Sequence, residues 1–192
     1  TVDASGNSGG IVVTDVGDAK TVYTLGSGAD KFTTAADGFA TSDKFAVDAG
    51  DGTDTLVVAA AADMDTAAEA ARYTNFETLS VSDTQDISLV SGITAVSAAA
   101  MTSKTISGIN ATAADAITIA GSQATAVTFT LANATGSSDS VTLDLKSSTS
   151  TTNVSVAGLA IAGVETLNVI GSTGTAATDS DVTFGTADKL TA

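Results

Sequence analysis

The sequence predicts an all-β protein, a parallel β-helix or β-solenoid-like stack with one short α-helix. Three observations carry that expectation. Short β-prone runs recur at about 10–13-residue spacing along most of the chain, the rhythm of solenoids and sandwiches. No Pro occurs in 192 residues, and Pro is the residue a continuous strand ladder tolerates least. Aromatics make up only 4% of the chain. The core is therefore expected to be thin layers of Val, Ile, Leu and Ala, which suit a narrow solenoid better than a thick globule.

Residues 1–58 are rich in Gly and Asp, and strands are expected at 10–13, 21–25, 31–33, 44–47 and 54–58. The Gly and Asp residues that bound them are turn formers. Two of these strands echo each other, Asp30-Lys31-Phe32 and Asp43-Lys44-Phe45. Residues 59–73 (AAAADMDTAAEAARY) are the helix candidate: Ala is the best helix former, and no Gly or Pro interrupts the run. Asp63 or Asp65 could cap it, with Arg72 in the last turn, where the helix dipole favours a cation. Beyond it, strands are expected at 78–81, 87–90, 95–97, 105–106, 116–119, 126–131, 140–145, 153–156, 165–170 and 181–184. Many alternate cleanly; VTFTL (127–131) and VTLDL (141–145) put apolar residues on one face and Thr or Asp on the other.

Two segments stand out within this texture: LGSGADKFT (25–33) and AGDGTDTLV (49–57). Each has Gly second and fourth, Asp sixth and a large apolar residue eighth, most of the pattern G-G-x-G-x-D-x-U-x. That pattern is the calcium-binding nonapeptide of parallel β-helices. Gly lets the turn adopt backbone angles closed to residues with a Cβ. Backbone carbonyls and the Asp carboxylate supply hard oxygen donors for Ca²⁺. Asp30 and Asp54 would be the ligating carboxylates, Phe32 and Leu56 the residues pointing into the solenoid. Gly28, Gly50 and Gly52 shape the turns, and Asp48 and Asp51 are further ligand candidates. Both copies lack the first Gly, and they lie 24 residues apart rather than 9 or 18. The expectation is one or a few isolated calcium sites, completed by Asp37, Asp43 or Glu77, rather than a regular calcium ladder. The alternative is a pair of Gly-Asp β-turns with no ion.

A longer repeat is visible within the chain. NFETLSV (75–81) recurs as GVETLNV (163–169), 88 residues later. Glu is depleted in strands, so Glu77 and Glu165 each call for a reason. A strand-end charge or turn contact is one; a carboxylate directed at a cation is the other. The organisation that follows is a calcium-influenced β segment at 1–58, a short helix at 59–74 and a β-solenoid-like domain at 75–192.

Composition excludes several functions. The net charge is −15, from 22 acids, nineteen of them Asp, against 7 bases. Nucleic-acid binding needs a basic patch, and none exists. His and Cys are absent, which removes the usual general base, thiol nucleophile and zinc ligands; no enzyme activity is expected. No apolar run reaches the roughly 18 residues that span a bilayer. The chain opens on Thr1 without a readable signal peptide and looks like a fragment or a processed chain.

In their order along the chain, several segments resemble a Caulobacter-type bacterial surface-layer (S-layer) protein of the RTX group. They are GDGTDTLVV (50–58), NFETLSV (75–81), VTFTLANATGSSDSVTLDLKSS (127–148) and LAIAGVETLNVIGS (159–172). The resemblance implies a calcium-dependent, self-assembling lattice on an outer membrane, exported by a type I system. Ca²⁺ would be the cofactor and further copies of the chain the partner. Cell-surface polysaccharide would be reached through a region outside this chain. The other readings are an adhesin or binding repeat of a large secreted protein, and a subunit of an extracellular fibre.

Overall fold

A computed structural model describes residues 1–35, 43–146, 154–171 and 181–186. The chain divides into two compact units, residues 1–81 with 89–93, and residues 82–88 with 94–192.

In the first unit successive strands alternate between two parallel sheets. β1 (Val2–Asp3), β3 (Val22–Thr24), β5 (Ala46–Asp48) and β7 (Tyr73–Thr74) form one. β2 (Val12–Thr14), β4 (Lys31–Thr33), β6 (Thr55–Val58) and β8 (Thr78–Val81) form the other. The chain leaves one sheet, turns a corner, enters the other and returns one turn further on, which is a parallel β-helix. Its register follows side-chain alternation. Val13, Phe32, Leu56 and Leu79 pair in one inward column, at spacings of 19, 24 and 23 residues. Phe32, Leu56 and Leu79 are fully buried, while their neighbour Lys31 faces out. A one-residue slip would turn every one of these side chains outward, so the register is strongly specified.

The second unit repeats the scheme with longer strands. β9 (Gln85–Asp86), β11 (Thr105–Ile109), β13 (Gln123–Leu131), β15 (Ser155–Ile161) and β17 (Asp181–Thr186) form one parallel sheet. β10 (Ala95–Ala98), β12 (Ile117–Ile119), β14 (Ser140–Leu145) and β16 (Thr166–Gly171) belong to the other. The expected all-β solenoid is thus the fold, and the strands expected at 31–33, 78–81 and 140–145 have those bounds.

Three local expectations are corrected. The segment 59–73 is not one helix. It is a 3-10 turn (Ala61–Asp63), a single α-helical turn α1 (Ala67–Ala70) and then strand β7. Asp63 Oδ2 accepts the Ala60 N–H (3.0 Å), closing the N-terminal end of the first turn. Thr66, not Asp63 or Asp65, caps the second: its Oγ1 accepts the Glu69 N–H (3.2 Å) while Glu69 Oε2 accepts the Thr66 N–H (3.0 Å), a capping box. Pairing with β5 then draws Tyr73 and Thr74 into the sheet; tertiary pairing overrides Ala propensity. Second, the strand expected at 87–90 is a 3-10 turn (Ile87–Leu89). Asp86 Oδ1 accepts from the Ser88 N–H (3.0 Å) and Ser88 Oγ (2.6 Å), which pulls the chain out of the extended form. Third, the core is not uniformly small and aliphatic. Tyr23, Phe32, Phe45, Tyr73 and Phe76 are all buried in the first unit. Tyr23 meets Phe32 and Phe45 edge-on, at 5.1 and 6.0 Å between ring centroids. Few aromatics in the whole chain become many in one place. A further one-turn helix, α2 (Ala111–Ala114), is capped by Asn110, whose side chain accepts the Ala113 N–H (2.9 Å). Among the described residues no helix is long and apolar enough to cross a membrane.

Candidate functional site

Twenty-four residues is one full turn of this solenoid, so the two Gly-Asp segments lie directly on top of one another. Lys31 pairs with Thr55, Phe32 with Leu56 and Thr33 with Val57. Their spacing, which suggested isolated sites, is the spacing that stacks them. The stacked turns are tight. Gly50 and Gly52 have φ of +89° and +143°, and a Cβ on Gly52 would stand 2.2 Å from the Gly28 carbonyl oxygen. Only Gly fits at either position.

At the corner entering β2, β4, β6 and β8, acidic side chains clamp one turn to the next. The Ile11 N–H donates to Asp30 Oδ1 (2.7 Å), the Asp30 N–H to Asp54 Oδ1 (2.6 Å) and the Asp54 N–H to Glu77 Oε2 (2.8 Å). Asp30 Oδ2 also accepts the Gly26 N–H (3.1 Å). The carbonyls return the contact: Asp30 O accepts from the Thr55 N–H (2.8 Å), and Asp54 O from the Thr78 N–H (2.9 Å). The second unit has the same clamp, the Asp139 N–H donating to Glu165 Oε2 (2.9 Å). The 88-residue Glu-Thr-Leu repeat therefore has a structural reason. Each Glu closes the corner by satisfying the N–H of an Asp one turn back, a charge-assisted bond stronger than a neutral one.

The clamp does not use all the oxygens. Asp54 is completely buried, and its Oδ2 has no hydrogen-bond partner. Burial raises its carboxyl above the ordinary aspartate range; the Asp30 N–H bond opposes this, and the charges of Asp30 and Glu77 add to it. An unpaired buried acceptor costs about 1–3 kcal/mol, so this corner is poised for a proton or a cation. The donors are all oxygen, which fits a hard cation such as Ca²⁺. Among the described residues no three His, Cys, Asp or Glu side chains are grouped to hold a metal. Backbone carbonyls of the Gly turns would have to complete any coordination shell.

The other expected residues distribute as follows. Asp30, Asp54 and Glu77 form the clamp, with Gly28 and Gly52 stacked beside it. Asp48 and Asp51 line a separate polar groove of about 370 Å³ with Ser5, Ser27, Gly50 and Asn75. Asp48 Oδ1 there accepts from the Gly50 N–H (3.1 Å) and Asn75 Nδ2 (2.8 Å). Asp43 joins neither group; it precedes β5, at the opposite end of that strand from Asp48. Asp37 lies outside the described residues. Sequence reasoning missed Asp139, whose signal was its place just before an alternating strand, as Asp54 stands before β6. No protein-family model, curated protein or solved structure matches the chain.

Proposed function

We propose that this chain is a structural, non-enzymatic β-solenoid that binds Ca²⁺ at its stacked Gly-Asp corner and assembles with copies of itself into a lattice on a bacterial cell surface. The observation that carries the reading is Asp54, a wholly buried carboxylate with one oxygen unpartnered, set between the charges of Asp30 and Glu77. Its environment disfavours ionisation unless a cation arrives. The resemblance to RTX-type S-layer proteins points the same way, as does a net charge of −15. Where free Ca²⁺ is low, that charge opposes compaction and keeps the chain exportable. Outside the cell, at affinities of about 10⁻⁴–10⁻³ M typical of extracellular sites, the ion would neutralise the corner and couple binding to folding.

Circular dichroism and negative-stain microscopy of wild type and Asp54→Asn, titrated with Ca²⁺, test the reading. Wild type should gain β signal and form ordered arrays at millimolar Ca²⁺. The variant, with no Asp54 charge to neutralise at this corner, should start with more β signal in chelator and need at least about tenfold more Ca²⁺ to form arrays. Spectra and particles identical in Ca²⁺ and in chelator would sink it. Isolated rods in Ca²⁺ would favour an adhesin-like module over a lattice.

A further inference from the structure

The corner that follows β2, β4 and β6 in the first unit holds a second buried polar group, at the other end of these strands from the Gly-Asp turns. Asp15 follows β2 and Thr34 follows β4. Pairing of Thr14 with Thr33 sets them side by side on neighbouring turns, and the Asp15 N–H donates to the Thr33 carbonyl (2.9 Å). Thr34 Oγ1 accepts the Ala59 N–H (2.9 Å) and donates to Asp63 Oδ2 (2.5 Å). Asp15 Oδ1 accepts the Val16 N–H (2.8 Å) and the Tyr23 hydroxyl (3.2 Å). Asp15 is 5% exposed, and its Oδ2 is buried with no hydrogen-bond partner.

Tyr73 completes the corner. Burial, then the charges of Asp63 and Asp15, push its hydroxyl far above the ordinary tyrosine range. Arg72, also buried, brings one positive charge against these two negative ones. An unpaired buried carboxylate oxygen is costly, and an oxygen-only donor set with residual negative charge suits a hard cation.

We propose that this corner is a second Ca²⁺ site, with Asp15 Oδ2 as its open ligand and the Asp63 carboxylate, held by Thr34, as its partner. It does not rest on the Gly-Asp reading, since no residue is shared between the two corners.

The chain has no Trp, and its two Tyr residues both lie at this corner. Tyrosine-sensitised Tb³⁺ emission from the full chain is therefore the natural probe, with ion stoichiometry from equilibrium dialysis alongside. Wild type should show emission that Ca²⁺ competes away. Asp15→Asn should weaken Tb³⁺ binding at least tenfold and lose one ion, while Asp54→Asn keeps the sensitised signal. Thr34→Val leaves both carboxylates but removes the hydroxyl that orients Asp63; it should weaken the signal with an unchanged circular dichroism spectrum, and it decides the matter if Asp15→Asn does not fold. Equal emission from wild type, Asp15→Asn and Thr34→Val overturns the proposal, as does the absence of emission from wild type. Emission lost in Asp54→Asn but kept in Asp15→Asn overturns this site and leaves the Gly-Asp site standing.

Discussion

The two units solve one topological problem with different materials. In the first, strands are two to four residues long and the interior is aromatic. In the second, β13 runs nine residues and β15 seven. Its core is Ile, Val and Leu, with Phe129 among them. Short strands supply few ladder bonds, so the first unit closes its corners with charged side chains: Asp30, Asp54 and Glu77 on one side, Asp15 and Asp63 on the other. The second unit also uses a carboxylate clamp, at Glu165, but its buried polar side chains among the described residues, Gln85 and Gln123, are neutral amides. Gln123 Oε1 accepts the Met101 N–H (3.0 Å), and Nε2 donates to the Ala99 and Gly121 carbonyls (both 2.7 Å). Gln123 is satisfied within the fold. Asp54 and Asp15 each keep one buried carboxylate oxygen without a hydrogen-bond partner, the difference on which the proposed cation sites rest.

Core truncation should break the first unit harder than the second. Phe32→Ala removes a wholly buried ring packed against Tyr23, Phe45 and Tyr73, and should cost about 3–5 kcal/mol. Leu143→Ala, equally buried in the second unit, should cost about 2–4 kcal/mol. Urea unfolding measures both; equal losses would deny the aromatic cluster its special weight. Next comes Gly52→Ala. The new Cβ would stand 2.2 Å from the Gly28 carbonyl oxygen at a φ of +143°, for a loss of about 2–3 kcal/mol. Gly171→Ala on β16 meets nothing within 4 Å and should be almost silent.

How much of this was legible in the sequence follows from the range of the forces involved. Strand identity is local: alternation and bounding Gly and Asp residues located β4, β8 and β14. Asp30, Asp54 and Glu77 were visible because a motif or an odd composition marked them. What they do was not, because the partner of each lies a whole turn away. Asp54 meets Asp30 and Glu77 only once turns of 24 and 23 residues stack. Asp15 carried no signal at all; its burial depends on Tyr23 and Thr34 arriving from the next turns. The helix expected at 59–73 failed for the same reason, since propensity could not foresee that β5 would recruit Tyr73.

The buried corner residues differ also in their response to pH. Asp54 has its carboxyl raised in the folded state. Its contribution to stability is therefore fully present below the ordinary aspartate value and is lost as pH rises through the raised one. In chelator, wild type should lose stability across that window relative to Asp54→Asn, and Ca²⁺ should restore it. Gln123→Ala should cost about 1–3 kcal/mol, the penalty of leaving buried groups unpaired. That loss should be the same at every pH and in either Ca²⁺ or chelator. Thermal melts from about pH 3 to 8 separate the two; a wild type and an Asp54→Asn variant that track each other in chelator would contradict the assignment.

The smallest effect should come from the surface. Lys104 Nζ lies 2.6 Å from Asp83 Oδ1 in the second unit, with both side chains about a third or more exposed. The Lys104 hydrogen bond is the largest influence holding the Asp83 carboxyl below its ordinary range. Whatever the pair contributes is thus present above the ordinary aspartate value and lost as pH falls through the lowered one, opposite in sign to Asp54. Solvent and salt screen it, so Lys104→Ala should cost no more than about 0.5 kcal/mol and less in high salt. A larger loss in urea titrations at both low and high salt would mean that the Lys104 stem packs on the sheet, and would blur the contrast between charged corners and a plain charged surface.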